Sequence, residues 1–484
     1  MPEKSSNDFS PPHARRQRPR SIQPHPPSSV SFLRKTVFWL HLVIGLAAGG
    51  VIAVVAFTGA TMAFQPQILA WAERDVSRVT PPSADAQPLS VEELLKRVRE
   101  AQPEARSQGI TVSADPTAAV VVSLGRTGSL YVNPYTGTVQ PQSAKKLREF
   151  FQFVLRLHRW LALGDAPQQP PPAPAPANET PKASGTNWRE VGTSIVGIST
   201  IIFLILSLSG LYLWWPRTWT LRALKTVSIF NFKLRGLARD WNWHNVIGLW
   251  STPVLIVITI TGTVMAFKPV GDWIYKRPEG QAQGAPPPGV QVSRPEPGAK
   301  PLGLDALFAA AKREFPQWET ITQRSAQQQR QRTAGAANAG QAPGDREGQT
   351  SAKPAGGEGE RPRGPQPANF AIRERGSWSP IPVQIFLDPY TGAVLQKESL
   401  ADYGFRRAFR AIVLPLHMGT VGGLAGQIVV FLASVGGLVL VYTGFALAWR
   451  RFFGRKRAAK ILPSTEVISV TIEAARETTG THAS

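Results

Sequence analysis

The chain has 484 residues, a formal net charge of +22, 43% hydrophobic residues and no cysteine. Without cysteine there is no disulfide, no thiolate metal site and no thioether-tethered haem. The basic excess does not point to nucleic acid, because its arginines and lysines abut long apolar runs instead of forming a soluble basic patch.

In chain order, residues 1–33 are rich in Pro, Ser and Arg and read as a disordered cytoplasmic tail. Residues 34–66 form the first of four apolar stretches. The others are 188–216, 241–269 and 424–450. About 20 apolar residues cover a ~30 Å hydrocarbon core, so each is expected to be a transmembrane helix. The first is not a cleavable signal peptide, because a polar tail precedes it and no small-residue cleavage site follows. Residues 67–187 form an external segment. In it "LSVEELLKRVREAQPEA" predicts a helix, with Ser90 as N-cap and Glu93 completing a capping box. "GITVSA", "AVVVSLG" and "SLYVNP" predict strands, "NPYTG" a turn, and 166–187 a Pro-Ala linker. Residues 217–240 are a basic connection between spans. Residues 270–423 form a second external segment, with a helix at "LGLDALFAAAKREFP", strands around "PVQIFLDPYTGAVLQ" and a low-complexity insert at 324–369. Residues 451–484 are a second cytoplasmic tail.

Charge predicts the orientation. Arg15, Arg16, Arg18, Arg20, Arg34 and Lys35 precede the first span. Arg217, Arg222, Lys225, Lys233, Arg235 and Arg239 lie between the second and third, and Arg450, Arg451, Arg455, Lys456, Arg457 and Lys460 follow the fourth. Positive charge marks the cytoplasmic side, so both termini are expected inside and both long segments outside, in a bacterial inner membrane.

A repeat organises the chain. "HLVIGL" begins at His41 and "HNVIGL" at His244. At the same offset Gly45 matches Gly248, Thr58-Gly59 matches Thr261-Gly262, Met62 matches Met265 and Pro66 matches Pro269. "NPYTGTV" at Asn133 matches "DPYTGAV" at Asp388, and "VLRLH" ending at His158 matches "VLPLH" ending at His417. The second and fourth spans close with "SGLYLWWPR" from Ser209 and "TGFALAWRR" from Thr443. Both copies start inside, so the expected fold is a membrane α-helical protein of two parallel repeats with two small α+β external modules.

The paired "H-x-x-I-G-L…TG" spans, the "PYTG" turns and the helix-plus-strands segments between spans resemble the PepSY-associated transmembrane helix family, from about residue 34 to 455. The resemblance implies PepSY-like periplasmic modules and iron-regulated bacterial inner-membrane proteins, some of which are di-haem reductases of ferric siderophores. PepSY modules also occur in protease propeptides. That leaves open a non-enzymatic membrane-anchored module that binds peptides or regulates a protease. A siderophore transporter would show broken helices with polar midplane residues, and only Pro253 and scattered Ser and Thr meet that pattern.

Seven histidines occur. His13, His25 and His482 lie in the tails, and His41, His158, His244 and His417 form two matched pairs. Ionisable groups in spans are costly and tend to be functional. No carboxylate is matched beside them in both copies (Asp240 has no partner in the first), so two ligands per site favour bis-His haem b over zinc or copper. Depth pairs His41 with His244 and His158 with His417, since Thr58 lies roughly 25 Å along the helix from His41. Gly45 and Gly248, one turn beyond their histidines, are expected to leave room for a flat macrocycle, or alternatively for close helix packing.

Propionate partners would be Arg34, Lys35 and Arg239 inside, and Arg156 or Arg159 outside. The Thr58-Gly59 and Thr261-Gly262 pairs are expected to serve helix crossing, Met62 and Met265 packing, and Trp188, Trp214, Trp215 and Trp241 the aromatic belt. The expected function is a di-haem oxidoreductase. It would take electrons from a cytoplasmic flavoprotein or from quinol and pass them to a periplasmic ferric siderophore or similar iron chelate.

Overall fold

The computed structural model describes residues 29–125, 128–164, 186–216, 219–275, 292–293, 299–324, 366–377 and 379–454. The expected tails at 1–28 and 455–484, Arg217, and most of the Pro-Ala stretch and the 324–369 insert lie outside the described residues.

Four helices are long and apolar enough to cross a bilayer. They are α1 (Ser29–Met62), α6 (Trp188–Trp214), α8 (Gly236–Ala266) and α12 (Gly423–Phe453). Each of α1 and α8 packs against both α6 and α12, so α1 and α8 stand at opposite corners of a four-helix bundle. Small residues make the contact. Ala48, Ile52, Ala56 and Ala60 recur every four residues along the buried stripe of α1, while Leu40, Val43 and Phe57 are exposed. Lipid is as apolar as leucine, so close backbone packing, not apolar burial, holds such helices together. At the α8–α12 crossing, a Cβ on Gly436 would lie 2.2 Å from Ser251 Oγ, a distance only glycine allows.

After α1 come α2 (Gln65–Ala72), α3 (Arg74–Ser77), α4 (Val91–Ala101), strands β1 (Gly109–Ser113), β2 (Val120–Ser123), β3 (Ser129–Val132) and β4 (Val139–Pro141), and helix α5 (Lys145–Trp160). Helix α7 (Leu221–Ser228) connects α6 to α8. After α8 come α9 (Lys268–Tyr275), α10 (Leu304–Glu314), strands β5 (Trp318–Arg324), β6 (Ala368–Glu374), β7 (Val383–Leu387) and β8 (Val394–Glu398), and helix α11 (Phe405–His417).

The strands outside the bundle do not form two separate modules. They form one antiparallel eight-stranded sheet, ordered β4-β3-β2-β1-β5-β6-β7-β8. The first strand of each half pairs at the centre, with Thr111 opposite Thr322 and their hydroxyls 2.9 Å apart. The physical reason is edge pairing. A four-stranded meander leaves its first strand with unpaired N–H and C=O groups, and each half satisfies the other's.

One core covers the join. Leu94 and Val98 of α4, Phe308 and Ala311 of α10, and the inner-face residues Ile110, Val122, Ile321 and Phe370 form a single cluster. The helices also cap each other across it. Asp305 of α10 accepts from the N–H groups of Val91 (2.6 Å) and Glu92 (3.3 Å), the open N-terminus of α4. Ser90 caps the same helix through the Glu93 N–H at 3.1 Å. The Glu93 carboxylate turns instead to Arg97 at 2.9 Å, so half of the expected capping box forms. The two matched turns are alike: Asn133 Oδ1 accepts from the N–H of Tyr135 and Thr136, and Asp388 Oδ1 from those of Tyr390 and Thr391. Each is an Asx turn closed by a glycine at positive φ, Gly137 or Gly392.

Candidate functional site

Two amphipathic helices carry the outer histidines. On α5, Phe151, Val154 and His158 fall at i, i+3 and i+7, one face of a helix, and Phe151 and Val154 are buried. On α11, His417 lies one turn beyond buried Val413. Helix α5 docks on the span that follows it, and the turn after α11 closes tightly on the start of α12. A Cβ on Gly192 of α6 would lie 2.1 Å from the Trp160 carbonyl oxygen, and one on Gly426 of α12 would lie 2.2 Å from that of Gly419. Each is also pinned at its start by an ion pair. Arg148 Nε donates to the buried Glu73 at 2.7 Å, and Tyr131 donates to the same carboxylate at 2.9 Å. Arg407, in the matching position, donates to the buried Glu398 through both terminal nitrogens. Burial alone would raise the Glu73 pKa. The hydrogen bonds and charge of Arg148 and Tyr131 outweigh it and hold the carboxyl below the usual range. Burial and the neighbouring Glu73 charge push the Tyr131 hydroxyl up to about 12.

So held, His158 reaches α1 and His417 reaches α8, and the two rings come together with centroids 6.3 Å apart and planes at 62°. His41 of α1 and His244 of α8 lie at the other end of the same helices. The two levels are 14 to 17 residues apart on both helices, counted from His41 to Val55 and Thr58 and from His244 to Ile258 and Thr261. That separation is about 21–25 Å along the axis.

Each ring is held through Nδ1 by a hydroxyl on a neighbouring helix. His41 meets Ser209 at 2.8 Å, His244 meets Thr443 at 2.8 Å, His158 meets Thr58 at 2.9 Å and His417 meets Thr261 at 3.0 Å. The outer rings also meet a carbonyl, Val55 at 3.1 Å and Ile258 at 3.0 Å. A carbonyl only accepts, so Nδ1 carries the proton there. At the inner level the hydroxyls also reach carbonyls of their own helices, Ser209 that of Leu206 at 3.2 Å and Thr443 that of Val439 at 2.7 Å, an arrangement that favours Nδ1 as the donor. A neutral ring protonated at Nδ1 presents its lone pair at Nε2, the nitrogen free to ligate a metal.

Every one of these hydroxyl residues is followed by a glycine under the ring. A Cβ would lie 3.3 Å from His41 Cε1 at Gly210, 3.7 Å from His244 Cε1 at Gly444, 3.5 Å from His158 Cε1 at Gly59 and 3.2 Å from His417 Cε1 at Gly262. The Ser/Thr-Gly pairs thus face histidines, a role the sequence did not suggest, while Gly262 also meets Thr200 of α6 and Gly59 lies near Ser434 of α12, as expected for helix crossing. Their signal was in the sequence, one such pair per span. Gly45 and Gly248 face Leu206 and Leu440. Arg34 donates to the carbonyls of Leu213 and Trp215 at the C-terminal end of α6, and Arg239 pairs with Asp240, so neither is aimed at a carboxylate ligand. Arg156 lies over Phe153 and Arg159 over Trp160. Among the described residues no cluster of three or more His, Cys, Asp and Glu gathers.

The fold defines a helical membrane protein with four spans and a β-sheet at one end, in which two histidines on the spans and two on the adjoining helices stand at two levels. The sequence matches the family described as PepSY-associated TM region over residues 38–451, and the chain belongs to that family. No curated protein matches it.

Proposed function

We propose that the protein is a transmembrane di-haem b oxidoreductase. On this reading His41 and His244 hold one haem and His158 and His417 the other. The two halves of the chain act as parallel repeats, each contributing one ligand to each level. The carrying observation is the outer pair. The rings of His158 and His417 come together from two different helices with centroids 6.3 Å apart, and both Nδ1 atoms are engaged elsewhere, so Nε2 of each would be the atom to hold a haem iron. Two ligands per level suit a macrocycle that brings four nitrogens of its own. The glycines beneath the rings let each imidazole sit close to a backbone.

Bound haem iron would supply one-electron redox chemistry. The chain's part is to fix ring orientation, keep both levels in one rigid bundle and exclude water from the path between them. Arg34, Arg222, Lys225, Lys233, Arg235, Arg239, Arg450 and Arg451 cluster at the end of the bundle away from the sheet, and this charge bias supports reading that end as the cytoplasmic side of a bacterial inner membrane. The His41/His244 level would then receive electrons from a flavoprotein or quinol. The His158/His417 level, next to the sheet, would deliver them to a periplasmic ferric chelate of the siderophore type.

The test is an absorption spectrum of the full-length protein purified from haem-replete cells. Two b-type haems per chain are expected, with one lost in His41→Ala and the other in His417→Ala. A colourless protein sinks the reading.

A further inference from the structure

The four rings are not anchored alike. His158 and His417 each have two acceptors at Nδ1, a threonine hydroxyl and a backbone carbonyl on the same helix. His244 has the Thr443 hydroxyl. His41 has the Ser209 hydroxyl. Thr58, Thr261 and Thr443 are fully buried, with exposures of 0%, 2% and 1%. All four hydroxyls reach carbonyls of their own helices, an arrangement that favours their oxygens as acceptors facing the rings.

We propose that Ser209, Thr443, Thr58 and Thr261 are positioning residues that set the tautomer and rotation of the four histidines, and that the two levels depend on them unequally. The outer rings keep a carbonyl acceptor when the threonine is removed. The His41 ring loses its anchor when Ser209 is removed. This inference rests on the haem reading for its consequence but not for its geometry. With no acceptor at Nδ1, the proton is free to sit on Nε2, and a ring protonated there cannot ligate. Loss of such an outer partner typically weakens metal affinity by about 10–100-fold. Ser209→Ala is therefore expected to weaken haem retention at the inner level by that factor, while Thr58→Val changes retention at the outer level by less than the lower limit.

Two measurements on the full-length protein decide it. The first is 15N solid-state NMR of histidine-labelled protein from haem-deficient cells. Wild type is expected to show the Nδ1–H tautomer for the four helix-borne rings. Ser209→Ala is expected to convert one of them to a mixture, Thr58→Val to convert none, and Ser209→Thr to restore the wild-type pattern. The second is haem content and low-spin EPR of the same variants from haem-replete cells, where Ser209→Ala alone should broaden one signal. An Nε2–H tautomer in wild type, or equal behaviour of Ser209→Ala and Thr58→Val, overturns the proposal. Wild type that shows the expected tautomers but takes up no haem overturns the haem reading and leaves the positioning role standing.

Discussion

A glycine under a histidine ring trades two small energies. Alanine in place of a helical glycine gains up to about 1 kcal/mol of helix propensity. It also adds a methyl group whose cost depends on the space it meets. At Gly444 the nearest ring atom would lie 3.7 Å away, an ordinary contact, and the gain should win. At Gly262 the methyl would lie 3.2 Å from His417 Cε1 and 3.4 Å from Thr200 Cγ2. Two acceptors pin that ring, so it cannot give way, and overpacking of this kind costs about 1–3 kcal/mol. Gly262→Ala should therefore lower the thermal midpoint of the detergent-solubilised protein, and Gly444→Ala should leave it unchanged or raise it. Equal midpoints in the two variants would show that ring contact is not what fixes these glycines. The histidines themselves were legible in the sequence because His41 and His244 open matching hexapeptides, His158 and His417 close matching pentapeptides, and the other three histidines lie in the tails. Their partners were visible only as repeated Ser/Thr-Gly pairs. Which ring each pair faces depends on how the helices are rotated about their axes, and spacing along one helix does not determine that.

The histidine-bearing helices α5 and α11 belong neither to the bundle nor to the sheet, and a buried Arg–Glu pair moors each of them. Removing one partner of such a pair leaves a buried charge uncompensated, at a cost of about 3–5 kcal/mol. Arg148→Met should pay most of that at neutral pH. The sign with pH follows from the direction of the Glu73 shift. In wild type its pKa is lowered, so the stability it contributes is fully present above the unfolded carboxylate value of about 4.3 and is lost as pH falls toward the lower native value. In Arg148→Met the burial that already opposes the shift is left without its main counterweight, and the native pKa rises instead. Protonation then relieves the variant. Its deficit in thermal midpoint against wild type should be largest near pH 7.5 and shrink by pH 4.5; a deficit that grows on acidification would contradict this. At this scale the sequence was legible where a signal was strong. Helix α4 and strands β1 to β3 follow from periodicity and from Val and Ile content. Strands β5 and β6 did not, because "WETITQR" and "ANFAIRE" are polar in part and adjoin the low-complexity insert, whose assigned limits took in Arg324 and the start of β6.

At the scale of the whole molecule, the central pairing of β1 with β5 makes the two halves one folding unit outside the bundle. Residues 74–160 and 299–404 are separated by two spans, yet they share one sheet and one core that contains Leu94, Val98, Phe308 and Phe370. The repeat in the sequence implied two modules. That they share a sheet could not be read there, since nothing in a duplicated strand says whether its edge meets solvent or its own copy. The sharing has a consequence for the outer histidine level, because each of its rings hangs from a different half. Thr322 lies in β5 with β1 on one side and β6 on the other. Proline there removes a ladder donor in the middle of a sheet, a place where proline is not accommodated. If the halves fold as one unit, Thr322→Pro should raise hydrogen exchange in β1, β2 and α4 as well as in β5, β6 and α10, and should loosen α5 together with α11. Independent modules would confine the change to the second half. Exchange measured by mass spectrometry on the full-length protein in nanodiscs separates the two, because peptides from 91–132 report on the half that carries no substitution. Protection retained there would mean that the central pairing forms a contact between the halves without coupling their stability. The outer rings would then owe their spacing to the bundle alone.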